Sequence, residues 1–250
     1  MKKLASLVIL FSLAGCGGSS NVNNVTNLSV SKAFSDGAGV MTGIYSDGSK
    51  IASIVPEVAA VVRTSNDNTS SDVQASSFPI VGSYPTGSIR SGALTDGYSS
   101  VNVTVYEDSS GDALMLYAED PGRAHMVMAA VDSYTAPTGT FSYRGLFAAG
   151  RRANSSSIET GSFTMSANFS TKTVVFNGQT PSYSLTGNAI LDSDAGTFNS
   201  NTFRFEDADY YYDGTSIYGL MGGSGATATA GVFHTAGQNP TYAGGFIGQR

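Results

Sequence analysis

Residues 162–169 alternate strictly between polar and apolar side chains, in the order Ser-Phe-Thr-Met-Ser-Ala-Asn-Phe. A period of two places the two sets on opposite faces of a β-strand, so this segment predicts a strand with one buried face. Further short strands are predicted around it, joined by turns rich in Gly, Asn, Asp and Ser. The predicted strands are 140–147, 160–169, 173–176, 183–191, 196–205, 216–221, 226–235 and 241–248. Their succession predicts an eight-stranded antiparallel β-barrel over 138–250, because closure leaves no exposed strand edge.

The composition supports an all-β fold. The chain contains 30 Gly, 13 Tyr and 13 Phe, and charged residues make up 13% of it. Helix surfaces usually carry Glu, Lys, Arg and Gln, whereas Thr, Ser and Tyr are typical of strand surfaces. We therefore expect no substantial helical domain.

A separate β-rich domain is predicted over 36–137, upstream of the barrel. Val40–Tyr45 is a predicted strand, and the alternation of 101–106 predicts another. Residues 114–117 return after the turn at 108–112, and 126–131 add a third member to this meander. The apolar segment 51–62 contains Pro56 and is compatible with a strand or a short helix.

The N-terminus has the pattern of a bacterial lipoprotein signal. Lys2 and Lys3 precede the apolar run 4–13, which ends at Leu-Ala-Gly-Cys16. We predict that 1–15 is a cleaved signal peptide, that Cys16 receives the lipid, and that 16–35 is a flexible tether to the membrane. This pattern predicts a lipid anchor in the bacterial outer membrane, facing either the cell surface or the periplasm.

The charge of the chain excludes one class of partner. The formal net charge is −6 and becomes −8 when the two signal-peptide lysines are removed. Nucleic-acid binding needs clustered Lys and Arg to contact phosphates, so we expect no nucleic-acid partner.

The C-terminal half contains three segments that carry a family pattern. They are Gly219-x3-Gly223-x2-Ala226-x4-Gly231-x-Phe233, Tyr242-Ala-Gly-Gly-Phe246-Ile-Gly248 and Gly139-Thr-Phe-Ser-Tyr143-Arg-Gly145. Together they resemble the barrel of transferrin-binding protein B-like lipoproteins. The two-part layout of this chain, a lipidated tether and β-rich half followed by a barrel, is similar to that of factor H-binding protein and haemophilin-type lipoproteins. The resemblance implies a lipidated, surface-displayed binding protein with no catalytic residues. It also implies structural roles for Gly223 and Gly231.

The sequence contains no recognisable catalytic constellation. It lacks His-Glu-x-x-His, a Walker loop and Gly-x-Ser-x-Gly, so we expect no enzymatic activity. His125 and His234 are the two histidines; each is either a hydrogen-bonded strand residue or a haem ligand. No two His or Cys residues have metal-ligand spacing, so we expect no metal site and no obligatory cofactor, although haem stays open.

Residues 206–213 form the most unusual local run. Tyr210, Tyr211 and Tyr212 lie among four acidic residues, and three consecutive tyrosines cannot all be buried in an alternating strand. The run is compatible with an ordinary hairpin, a partner-binding loop or a calcium site. Arg151 and Arg152 form a second candidate contact, at the end of the first barrel hairpin.

These observations predict a non-enzymatic lipoprotein that binds a protein or an iron- or haem-bearing ligand through its barrel loops. Two alternatives stay open at this point. One is a lipocalin-like carrier whose barrel interior holds a small ligand against Phe163, Met165 and Phe169, and the other is a structural envelope lipoprotein.

Overall fold

The computed structural model describes residues 37–45, 50–53, 62–64, 71–73, 79–95, 100–120, 124–151, 158–236 and 241–250. These residues form seventeen strands and two main sheets, which confirms the predicted all-β class. Cys16 and Arg152 lie outside the described residues, so the predicted anchor and one of the two arginines stay predictions. Within the described ranges, no helix is long and apolar enough to cross a membrane.

The N-terminal strands form an antiparallel sheet. They are β1 Ala38–Tyr45, β2 Lys50–Ser53, β3 Val62–Thr64, β4 Ser71–Val73, β5 Ile80–Tyr84, β6 Gly87–Thr95, β7 Ser100–Asp108, β8 Ala113–Asp120 and β9 Ala124–Val131. Seven of them pair in the order β2-β1-β9-β8-β7-β6-β5, while β3 and β4 pair with each other. The adjacent strands β7, β8 and β9 confirm the predicted meander.

The C-terminal strands close into the predicted eight-stranded barrel. They are β10 Thr140–Arg151, β11 Ile158–Asn168, β12 Thr173–Gln179, β13 Ser184–Asp192, β14 Thr197–Glu206, β15 Tyr211–Gly222, β16 Ala228–His234 and β17 Tyr242–Gln249. Each pairs antiparallel with its neighbour in sequence, and β10 pairs with β17 to complete the circle. The predicted alternation is seen directly in β11, where Phe163, Met165 and Ala167 are buried.

Aromatic rings fill the interior of the barrel. Phe163 stacks on Phe176 with ring centroids 5.3 Å apart, and Phe246 lies 4.8 Å from Phe176. Phe147 and Phe205 contact Phe233 from two other sides, at 5.3 and 5.6 Å. An eight-stranded barrel is just wide enough to be filled by side chains, and here they form one continuous core.

Two signature glycines have the structural roles that the resemblance implies. Gly223 has a φ of +78°, a conformation that favours glycine, in the turn between β15 and β16. A Cβ at Gly231 would collide with the Phe246 ring and with the Tyr218 carbonyl oxygen. The absence of a side chain there lets the Phe246 ring lie against the barrel wall.

The outer wall of the barrel packs against the N-terminal sheet. Small side chains on β16, Ala228 and Ala230, lie in the same buried cluster as Met115, Tyr117 and Val127 of the sheet. Strands β15, β16 and β17 of the barrel contact β1 and β9. The barrel therefore has two apolar surfaces, one inside and one toward the sheet.

Candidate functional site

One end of the barrel is occupied by the chain segment that enters it. This connector end consists of residues 132–139 with the turns 193–196 and 223–227. The Tyr134 hydroxyl donates a hydrogen bond to the Ser193 carbonyl oxygen at 2.6 Å, and the Gly225 amide donates to Thr135 Oγ1 at 2.6 Å. Inside the rim, the Tyr143 hydroxyl donates to the Ala226 carbonyl oxygen at 2.8 Å. These bonds between side chains and backbone groups hold the connector segment and the first barrel strand against the turns 193–196 and 223–227.

The opposite end carries the candidate residues and is called here the tyrosine end. It consists of the turns 180–183 and 207–210 with Arg151 and Tyr242 at the ends of β10 and β17. The chain alternates direction through the barrel, so the last residue of β10 and the turn between β14 and β15 lie at the same end. The structure thus brings two of the sequence-predicted sites, Arg151 and the tyrosine run, to the same end of the barrel.

Four aromatic rings close the mouth of the tyrosine end. Tyr242 lies 4.7 Å from Phe205, 5.1 Å from Tyr183 and 5.5 Å from Tyr212, measured between ring centroids. Tyr212 is the half-buried member of the tyrosine run and packs against the barrel core. The ring layer is continuous with the phenylalanine core beneath it through Phe205.

Asp207 fastens the 207–210 turn to this ring layer. Its Oδ1 accepts hydrogen bonds from the amides of Asp209 and Tyr210 at 2.9 and 2.7 Å, the geometry of an Asx turn. Its Oδ2 accepts a bond from the Tyr242 hydroxyl at 2.7 Å. The turn is therefore held both locally and by a residue on the last strand.

The pKa values of this pair reflect the arrangement. Partial burial raises the pKa of Asp207, but the hydrogen bonds from Tyr242, Asp209 and Tyr210 outweigh it and leave the pKa below its ordinary value. Burial, and next the hydrogen bond to the Asp207 carboxylate, raise the pKa of the Tyr242 hydroxyl. Asp207 is thus a carboxylate at neutral pH, and Tyr242 is a neutral donor.

Arg151 contacts the same layer from outside. Its guanidinium carbon lies 5.8 Å from the centroid of the Tyr242 ring, within the range of a cation–π interaction. Arg151 itself is exposed at the end of β10.

Tyr210 and Tyr211 are exposed, as the run of three tyrosines predicts for at least one ring. Their exposed fractions are 66% and 61%. The guanidinium carbon of Arg204 lies 4.1 Å from the Tyr211 ring centroid. Arg204 Nε also bonds to Glu206 Oε1 at 2.7 Å and lies 3.9 Å from Asp213 Oδ1. The hairpin therefore exposes the rings of Tyr210 and Tyr211 among carboxylates, and the Tyr211 ring is already stacked against Arg204.

The two histidines lie elsewhere. His125 is on β9, in register with Ile44 and Glu119. His234 is buried at the end of β16, with Nδ1 3.1 Å from the Thr235 carbonyl oxygen. Alternate residues of a strand lie on the same face, so His234 is on the face of Ala230 and Val232, which is directed toward the N-terminal sheet. The opposite face carries Phe233 and is directed into the barrel interior. Throughout the described ranges, no group of three or more His, Cys, Asp or Glu residues could hold a metal ion.

Sequence reasoning missed the residues that organise the tyrosine end. The sequence pattern predicts only that Tyr242 belongs to the last strand and that Tyr183 and Phe205 are ordinary strand positions. The one available signal was Asp207, two residues before Asp209 in a polar turn, which is typical of an Asx turn. The side-chain partner of Asp207, Tyr242, is 35 residues away in sequence and is brought close by barrel closure.

The fold defines a class of protein: an antiparallel sheet packed on the wall of a closed eight-stranded barrel. Solved structures that share it include those of transferrin-binding protein B, so the fold is transferrin-binding protein B-like, as the sequence pattern predicts. No protein-family model and no curated protein sequence matches the chain.

Three of these structures illustrate the likeness. Intact Ap-TbpB, with its N and C lobes, aligns with 93% of this chain and 47% of its own, with 12% identity and a TM-score of 0.57. A double mutant of transferrin-binding protein B from Haemophilus parasuis aligns with 93% of this chain and 46% of its own, with 11% identity and a TM-score of 0.56. Isotype 1 transferrin-binding protein B from Neisseria meningitidis aligns with 85% of this chain and 43% of its own, with 12% identity and a TM-score of 0.57. The chain thus spans about half the length of these proteins.

Proposed function

We propose that this chain is a non-enzymatic, lipid-anchored outer-membrane protein that captures a protein ligand at the tyrosine end of its barrel. Three observations support the proposal. The N-terminus has the sequence pattern of a lipoprotein signal ending at Cys16, the fold is that of proteins named for transferrin binding, and Tyr210 and Tyr211 are exposed on the hairpin between β14 and β15.

The observation that carries the proposal is the contrast between the interior and the tip of the barrel. The interior is occupied by packed phenyl rings, whereas two tyrosine rings at the tip are more than half exposed. Tyrosine offers large contact area with few rotatable bonds, and it is enriched at binding hot spots. Binding through the tip is therefore favoured over binding inside the barrel.

The lipocalin-like alternative is less well supported. The three residues expected to line a ligand cavity, Phe163, Met165 and Phe169, are all buried in the aromatic core. Phe163 also contacts Phe246 at 5.3 Å between ring centroids. A carried ligand would have to displace these contacts.

Haem capture is likewise less well supported than protein capture. His234 lies on the sheet-facing side of β16, and its Nδ1 faces the Thr235 carbonyl oxygen. Haemin titration of the detergent-solubilised full-length protein, followed in the Soret region, tests this directly. We expect no saturable shift; a shift that is lost in His125→Ala or His234→Ala would replace the proposal with haem binding.

The capture function is tested with a matched pair of variants. Full-length protein carrying Tyr210→Ser and Tyr211→Ser loses two exposed rings at the tyrosine end. The control carries Val175→Ser and Ile190→Ser, which remove exposed apolar side chains from the barrel wall, where they are 55% and 77% exposed. We expect a protein ligand captured by the wild type and the control to be lost by the tyrosine variant. Equal capture by all three proteins would contradict the proposed site.

The anchor is tested separately. Cells producing the wild type are expected to incorporate a labelled fatty acid into the protein and to retain it in the outer-membrane fraction. Cys16→Ser removes the acceptor thiol and should abolish both. Labelling of the Cys16→Ser chain would contradict the anchor.

A further inference from the structure

The hairpin tip formed by residues 204–213 combines exposed tyrosine rings with carboxylates, and this combination indicates which kind of side chain on a protein ligand it can bind. We propose that it binds an arginine side chain on the surface of the protein ligand, with the guanidinium group stacked on Tyr210 beside the carboxylate of Asp209. This inference rests on the proposed function and names the kind of partner surface that it needs.

The hydrogen bonds of Asp207 hold the tip in place before a ligand binds. The Asp207 carboxylate accepts from two amides of its own turn and from the Tyr242 hydroxyl, whose ring lies in the barrel core. A side chain displayed on an anchored turn loses little conformational freedom when it binds, so more of the contact energy appears as affinity. Tyr210 is the last residue of this turn and is the more exposed of the two tip tyrosines.

The hairpin already holds one guanidinium group, that of Arg204, against a tyrosine ring and a carboxylate. Arg204 lies over the Tyr211 ring at 4.1 Å while Glu206 accepts from its Nε at 2.7 Å. A planar guanidinium can stack on an aromatic face and bond to a carboxylate at the same time, which an ammonium group does less well. Tyr210 and Asp209 offer an exposed ring and an exposed carboxylate on the same turn.

The net charge of the tip also favours a basic ligand surface. Residues 204–213 contain four carboxylates and one guanidinium, a formal charge of −4 plus 1, or −3. Asp213 and Glu206 are 67% and 49% exposed, so the charge of the tip faces solvent. A basic surface would be steered toward this tip, whereas an acidic surface would be repelled. The tip therefore fits a basic patch of a protein that contains arginine.

The test measures binding of a fluorescent hexa-arginine peptide to the full-length protein in detergent, with hexa-lysine as the control of equal charge and hexa-glutamine as the control with uncharged side chains. We expect hexa-arginine to bind more tightly than hexa-lysine, and hexa-glutamine not to bind. Tyr210→Leu is expected to weaken hexa-arginine binding about two- to fivefold, whereas Tyr210→Phe, which keeps the ring, should have little effect. Added salt should weaken binding, because the charges are exposed.

A matched pair of charge variants locates the effect. Asp209→Asn removes an exposed carboxylate from the tip, and Asp194→Asn removes one from the connector end. We expect hexa-arginine binding to fall about twofold in the first and to stay unchanged in the second. Equal losses in both variants, or equal binding of hexa-lysine with no effect of Tyr210→Leu, would overturn the inference. If the tyrosine-dependent capture of a protein persists in that case, the proposed function stands and the arginine-specific inference fails.

Discussion

The connector end and the tyrosine end of the barrel are closed by different hydrogen-bond arrangements. Both must cover the rim of an aromatic core. At the connector end, tyrosine hydroxyls from Tyr134 and Tyr143 bond to backbone carbonyl groups of the barrel turns. At the tyrosine end, Tyr242 bonds instead to the carboxylate of Asp207, and two further tyrosines point away from the core.

This difference separates a structural end from a candidate binding end. The polar groups named at the connector end are used within the fold, where they bond the connector and the first barrel strand to the barrel turns. The tyrosine end uses one tyrosine and one aspartate to fix its turn and leaves Tyr210 and Tyr211 exposed. The comparison predicts that changes at the connector end lower stability, while changes at the tip alter binding.

The largest effect is expected for the core that supports both ends. Phe176 is 1% exposed and contacts Phe163 and Phe246, so Phe176→Ala should lower the free energy of unfolding by about 3–5 kcal/mol. Urea denaturation measures the loss. The neighbouring Val175 is 55% exposed, and Val175→Ala should change stability by less than about 0.5 kcal/mol. Similar losses for both variants would contradict a filled interior.

A smaller loss is expected at the connector end. Tyr143 is 1% exposed, and burial raises the pKa of its hydroxyl to about 12. Tyr143→Phe keeps the ring but leaves the Ala226 carbonyl oxygen without this donor, which should cost about 1–3 kcal/mol. Thermal unfolding reports the change. An unaltered midpoint would mean that this bond does not hold the connector end.

The Asp207 contact should give the tyrosine end a pH dependence. Its pKa is lower in the folded protein than its ordinary value of 3.8, so the folded state favours the carboxylate. The resulting stabilisation is fully present above the unfolded-state pKa and is lost as the pH falls through the lower folded-state pKa. Asp207→Asn should flatten the stability profile of the protein below about pH 4 relative to the wild type. Parallel acid-unfolding curves for the two proteins would argue against the Asp207–Tyr242 bond.

The smallest effect on stability is expected at the tip itself. Tyr210→Ser removes a ring that is 66% exposed and should change the free energy of unfolding by less than about 0.5 kcal/mol. The same variant should nevertheless lose protein capture. A large loss of stability would show that Tyr210 belongs to the fold, and the distinction between the two ends would then fail.

The sequence predicts the barrel better than it predicts the sheet. Residues 162–169 and 101–106 show a clear period of two, and the structure places both segments in strands, β11 and β7, as predicted. Strands β5 and β6 were not predicted, because Pro79, Pro85 and Gly82 interrupt the segment and are typical of turns. Their place in the sheet depends on pairing with β7, which a local pattern does not reveal.

Contacts between distant parts of the chain account for the other differences. The alternation in β7 predicts that Tyr106 lies on a polar face, yet Tyr106 is 4% exposed because the barrel wall covers that face. The tyrosine run was recognised as unusual from its composition, and its exposure follows from the period of a strand. The bond between Asp207 and Tyr242 could not be predicted, because it exists only once β17 has closed the barrel.

The most direct test of the account is site-specific photo-crosslinking on cells that produce the full-length protein. A photoreactive phenylalanine analogue replaces Tyr210 in one strain and Val175, on the barrel wall, in another; both positions are exposed. After irradiation with proteins from the surroundings of the cell, we expect a defined crosslinked partner from position 210 and none from position 175. A partner crosslinked equally from both positions, or from position 175 alone, would contradict the claim that the tyrosine end holds the ligand.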